Sequence, residues 1–238
     1  MDLNADKVAH IAERFGYDED IKKNYKSFIK LIILSALAVF GSWAVGLITP
    51  YQASISLSAV FWIFALAIFL AQKDKPLSPL NPIFNSAAVG FAIAAFCVYK
   101  KYDLSLKIIG ALSGGFLAVN VIYALTVLIL PFKKTLSAAN VLLSIGLIVL
   151  AGVRIGANPQ IYVPTLFLAV FYFGIAIALA AYTFKPYINF KKCVCAGFTF
   201  AAVAVALAVL ILISEGDAAG DFLDLDFGFS GSKKKKNK

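Results

Sequence analysis

Between Asp103 and Glu215 the chain has no acidic residue, and the apolar runs in that stretch are broken only by short gaps holding Lys, Arg, Pro and Asn. A charged side chain at the centre of a bilayer costs about 2.5 to 3.5 kcal/mol on insertion scales, so long charge-poor stretches are what a lipid solvent selects. With 61% hydrophobic and 15% charged residues among 238, folding in water would leave large apolar patches exposed. The sequence therefore reads as a membrane-spanning helical bundle.

Apolar runs lie at about 30 to 49, 54 to 71, 83 to 99, 106 to 131, 136 to 153, 161 to 184 and 193 to 213, close to the roughly 20 residues that cross a bilayer. Backbone groups cannot be left unpaired in hydrocarbon, and the runs lack the strict alternation of barrel strands, so the fold class is an all-α polytopic bundle. Seven spans are expected. The third run is the weakest, and six spans follow if it does not cross fully. Residues 1–29 form an amphipathic cytosolic segment, 30–214 the bundle, and 215–238 an acidic, then lysine-rich, tail.

The polar start, with Asp18, Glu19 and Asp20 ahead of the first run, is the wrong layout for a cleaved secretory signal. Val8, Ile11 and Phe15 at helical spacing predict a short amphipathic helix ending before Gly16, with a second helix starting near Asp18 and entering the first span. Pro76, Pro79 and Pro82 predict a loop over 72–82, and Asn158, Pro159 and Pro164 a similar break. These breaks hint at two three-helix halves, 30–99 and 106–184, plus a final helix.

The net charge of +9 sits in the connections and at the ends, where it points to lipid headgroups as partners and not to nucleic acid. Lys22, Lys23, Lys26 and Lys30 before the first span favour a cytoplasmic N-terminus. Lys100, Lys101 and Lys107 fit that orientation poorly, since seven spans put them outside. Cys97, Cys193 and Cys195 read as free thiols, buried small residues or, for the last two, an acylation site at the membrane face. Gly110 with Gly114, and Gly152 with Gly156, have the GxxxG spacing of close helix packing, either within the chain or as a face for a protein partner.

Polar residues at membrane depth are Asn85, Ser113, Asn120, Thr126, Asn140, Ser144 and Thr199, and none alone serves as a general base. The chain has one histidine, His10 in the N-terminal segment, and no CxxC pair or glycine-rich phosphate loop, so no metal, haem or other cofactor is expected. Ser230 in Gly228-Phe229-Ser230-Gly231 imitates a hydrolase motif without a histidine partner in the spans. The reading is non-enzymatic. Arg154 interrupts a long apolar stretch and either snorkels to the interface or faces inward beside Asn120. Asn120, Asn140, Ser113 and Arg154 are the candidate lining of a polar path.

In the tail, Phe222-Leu223-Asp224-Leu225-Asp226 resembles clathrin-box and autophagy-receptor ligand peptides, with Phe222 and Leu225 as pocket residues and Asp224 and Asp226 facing basic groups; the plain alternative is an acidic spacer. Lys235 and Lys236 stand where a dilysine retrieval signal of the endoplasmic reticulum would. That signal needs a cytosolic C-terminus, which seven spans with a cytosolic N-terminus do not give. A bacterial inner membrane is the alternative location.

Ile21-Lys22-Lys23-Asn24-Tyr25-Lys26-Ser27-Phe28 is similar to the lysine-tyrosine lead-in to the first span of the Bax inhibitor-1 family, and Ala181-Tyr182-Thr183 resembles the end of its sixth. The overall layout, a short cytosolic lead, six spans with a further membrane segment and a Lys-rich tail, matches too. The resemblance implies a passive ion leak. It also implies paired aspartates as a pH sensor, yet Thr183 stands where the first would be, and Asp221, Asp224 and Asp226 fall beyond the last run. Two functions follow: a passive path for ions or small solutes, or an accessory or trafficking subunit acting through its helix faces and tail.

Overall fold

The computed structural model describes residues 3–71, 79–184 and 189–214, with side chains from Lys22 onward. Every element there is an α-helix: α1 (Leu3–Leu47), α2 (Tyr51–Ala71), α3 (Leu80–Tyr99), α4 (Leu106–Ile129), α5 (Lys133–Arg154), α6 (Pro159–Phe184) and α7 (Phe190–Ser214). The Lys22–Leu47 part of α1 and the six other helices are each long and apolar enough to cross a bilayer. Large apolar side chains point outward along them, among them Ile129 and Val153, each 76% exposed, as lipid-facing surfaces require. The chain is a polytopic helical membrane bundle. The tail residues Phe222, Asp224, Leu225, Asp226, Lys235 and Lys236, and the His10 side chain, lie outside the described residues.

Three residues expected at breaks, Gly16, Pro82 and Pro164, lie inside helices. α1 runs unbroken through Gly16, because one glycine costs a helix only about 1 kcal/mol. α3 starts at Leu80 and so contains Pro82, whose missing N–H is no loss in a first turn, where no carbonyl waits for it. α6 likewise starts at Pro159 and carries Pro164 inside. Nor do the helices divide into like halves: α3 packs on both α1 and α2, whereas α4 lies on α1 and barely touches α5.

The third span, weakest in sequence, is the centre of the bundle. Buried residues make up 78% of its most apolar window, against 17% for α2 and 22% for α5. It packs against α1, α2 and α7 together. A helix enclosed by protein does not need lipid-compatible side chains, so it can carry Asn81, Asn85 and Ser86 inward and remain the least apolar of the seven. Its far end closes in a Schellman turn. Lys101, at φ 55°, takes the left-handed position usually given to glycine. Its N–H bonds Val98 O at 3.1 Å and that of Tyr102 bonds Cys97 O at 2.8 Å, while the Tyr102 ring packs edge-on to Phe96. Burial, and then Cys97 beside it, raise the Tyr102 phenol above its ordinary range. Lys100 and Lys101 thus belong to a true turn between two helices, and Lys107 stands in the first turn of the second of them.

Within lipid, helices gain from close van der Waals contact because the surrounding tails are as apolar as the side chains. Close approach here uses other glycines than the two GxxxG pairs. A Cβ on Gly90 would stand 2.6 Å from Val39 O in α1, and one on Gly174 or Gly197 would stand 2.5 Å from Ala201 or Ala178 across the α6/α7 contact. Around Gly114, Gly152 and Gly156 the space is open, and Gly110 meets only the Phe40 ring at 3.7 Å. Small residues permit close approach but do not cause it; the helix also needs a neighbour whose small residues fall at the same level. None of the three cysteines is joined in a disulfide, and Cys97 and Cys195 are buried.

Gly90→Val should therefore destabilise the bundle by about 1 to 3 kcal/mol, the usual cost of overpacking, whereas Gly114→Val should change stability by about 0.5 kcal/mol or less, both read from unfolding in detergent. Seven crossings put the start of the first span and Ser214 on opposite faces. Tags placed ahead of Met1 and after Lys238 should accordingly show opposite protease protection in sealed vesicles.

Candidate functional site: a polar seam at membrane depth

α5 buries only Ser137, Asn140, Ser144 and Ala151. In water such a helix would be inside out; in lipid it turns its apolar face outward and its polar stripe, at i, i+3 and i+7, toward α6 and α4. α4 answers with buried Ser113, Phe116, Asn120 and Tyr123 at i, i+3, i+7 and i+10. The Tyr123 hydroxyl meets Ser137 Oγ at 2.7 Å. α4 and α5 run antiparallel, so Asn120 on α4 and Asn140 on α5 each lie about one turn deeper along their own helix than this pair, and Phe116 and Ser144 one turn further.

Tyrosines anchor the seam at the face where α1 enters. Tyr25 on α1, wholly buried, has its hydroxyl 3.1 Å from that of Tyr123 and 3.2 Å from Thr183 Oγ1 on α6. Asn24 Nδ2 donates to the Tyr182 hydroxyl at 2.9 Å, and the Tyr172 hydroxyl donates to Asn140 Oδ1. Four helices are tied by neutral hydroxyls and amides. Beyond Asn120, Phe116 stacks on Phe171 at 5.6 Å, and Phe171 meets Phe198 edge-on at 5.5 Å. This aromatic group lies next to the seam at the depth where Ser113 follows Asn120.

Not every polar group in the seam is satisfied. Asn120 Nδ2 bonds back to Phe116 O at 2.9 Å, yet Asn120 Oδ1, Asn140 Nδ2 and Ser113 Oγ are buried with no hydrogen-bond partner. An unpaired buried donor or acceptor costs about 1 to 3 kcal/mol. One amide acceptor on α4 and one amide donor on α5 thus stand unpaired.

A second polar cluster is better satisfied and ties α2, α3 and α7. Asn81 Nδ2 donates to Ala65 O at 2.7 Å and to Thr199 Oγ1 at 3.3 Å, and Asn85 Nδ2 donates to Thr199 Oγ1 at 3.1 Å and to Asn81 O at 3.0 Å. Its bonds join helix to helix at the base of α3.

No protein-family model matches this chain, nor does any curated protein or solved structure. The site must be read from its own chemistry. Of the residues expected to line a path, Asn120, Asn140 and Ser113 fall on the facing stripes of α4 and α5. Arg154 does not join them: it is exposed in the last turn of α5, about 21 Å along the axis from Asn140 at 1.5 Å per residue, where its stem reaches the interface. Sequence reasoning passed over Tyr123, Tyr172 and Ser137 as members. Their signal was available, because tyrosines deep in a span, away from the interfacial belt, need a polar partner.

In a double-mutant cycle of Tyr25→Phe with Thr183→Val, a coupling of about 0.6 to 1.7 kcal/mol is expected from one interhelical hydrogen bond in a membrane protein. Denaturation midpoints in detergent would measure it; strictly additive effects would mean the two hydroxyls do not depend on each other.

Proposed function

We propose that this chain is a non-enzymatic membrane protein that provides a passive path for a small, uncharged, hydrogen-bonding solute along the seam among α4, α5 and α6. The unpaired Asn120 Oδ1 on α4 and Asn140 Nδ2 on α5 carry this reading, since a solute offering both a donor and an acceptor would satisfy both. A bare ion fits less well. The seam holds no charged side chain among the described residues, and ion selection by rings of carbonyls or carboxylates has no counterpart there.

The resemblance to the Bax inhibitor-1 family bears on the same place. Tyr25 and Thr183, which lie in the two segments that carry it, are in contact. With Thr183 at the position of the family's first aspartate, the contact is between neutral groups, and a path here would not be gated by a carboxylate. A second reading, an accessory subunit, is favoured by the open space around Gly114, Gly115 and Gly156, which leaves outward small-residue surfaces for another helix.

Purified protein in liposomes separates these readings. Glycerol or urea entry, followed by light scattering, should exceed that of empty vesicles, and Asn120→Leu with Asn140→Leu should return it to the empty-vesicle rate, while potassium and calcium flux stay at background. No excess flux of any of these species would reject the path and leave the accessory role.

A further inference from the structure

α3 starts well below the membrane face at which α1 enters. Asn81, its second residue, bonds Ala65 in α2 and Thr199 in α7, which lie about 9 and 13 Å inside the ends of those helices at 1.5 Å per residue. α1 and α7 both pack on α3 and hardly on each other. Between them, above Pro79, an open cavity of about 270 Å³ remains. Its rim carries Lys30 and Lys191 with Asn24 and Ser27, and its deeper wall is apolar, including Leu34 and Val194. Lys30, Lys191 and Ser27 are exposed. The one acidic side chain among the described residues, Asp103, lies on the opposite face.

We infer that this cavity is a binding site for an anionic phospholipid, its phosphate held between Lys30 and Lys191 and an acyl chain laid along Leu34 and Val194. Cationic rim over apolar wall, at the level where headgroup gives way to hydrocarbon, complements that molecule in both charge and polarity. Basic pockets between transmembrane helices bind anionic headgroups in this way. The same face also presents Lys22, Lys23, Lys26, Lys133, Lys134 and Lys192, so lysines alone do not distinguish the site. The cavity does.

Native mass spectrometry of the full chain in detergent, titrated with dioleoyl phosphatidylglycerol or dioleoyl phosphatidylcholine, tests this. One phosphatidylglycerol should bind in preference to phosphatidylcholine. Lys30→Gln and Lys191→Gln should each weaken it about fivefold, the worth of one lysine near an anionic headgroup, while Lys133→Gln with Lys134→Gln leaves it unchanged. Ser27→Trp, which keeps every charge but fills the cavity from α1, should weaken it as well. Equal binding of the two lipids, equal loss in the Lys133/Lys134 variant, no effect of Ser27→Trp, or displacement of the lipid by equimolar glycerol phosphate would each overturn the site. Helical circular dichroism and a monodisperse elution profile confirm that each variant is folded.

Discussion

The enclosure of α3 is the constraint on which the rest of this bundle depends. A helix with no lipid-facing side must be surrounded, and three of its neighbours, α1, α2 and α7, do that by coming close. Their approach is set by Gly90, where a Cβ would run into the backbone of α1, and by small residues around most of the α3 circumference: Ala87, Ala88, Ala92, Ala94 and Ala95 are all buried. In water, burying such a helix would gain from the hydrophobic effect. In lipid, contact density and hydrogen bonds must hold it, which is why its base is fastened through Asn81, Asn85 and Thr199.

Once α3 takes three neighbours, little of it is left for the second half of the chain. α4 lies against α1, α5 and α6 pair with each other, and α6 reaches the core through α7. α4 and α5, though consecutive, therefore make few backbone contacts, and the polar stripes of both face inward where long side chains, Tyr123 and Tyr172, cross between helices. The seam is a product of that splay. Its neutral chemistry follows from the same cost that removes acids from the spans: amides and hydroxyls can be buried at a few kcal/mol when paired, and charges cannot.

Much of this was legible beforehand. Seven helices and their approximate limits follow from run length, and Asn120, Asn140 and Ser113 stood out because polar groups are rare at that depth. What misled were local breakers. Gly16, Pro82 and Pro164 look like boundaries, but a glycine's cost or one missing N–H is small against the packing and backbone pairing of a whole span. The GxxxG pairs misled for a different reason: Gly114 and Gly152 have the spacing, yet what decides contact is whether a second helix presents small residues opposite, as Ala178 and Ala201 do for Gly197 and Gly174.

Hydropathy and the absence of acids, both local properties, settled by themselves that the solvent is lipid, that the elements are helices, and that the last four spans carry no acidic side chain. Which span is central, which glycines touch, and which polar groups are left without partners are relations between distant residues. Tyr25 meets Thr183, and Tyr172 meets Asn140, only because of how the helices pack, and no spacing along the chain encodes that directly. The weak third span shows the difference most clearly: its modest hydropathy is readable as a defect in the sequence, and the tertiary structure explains it as the mark of a helix largely enclosed by its neighbours.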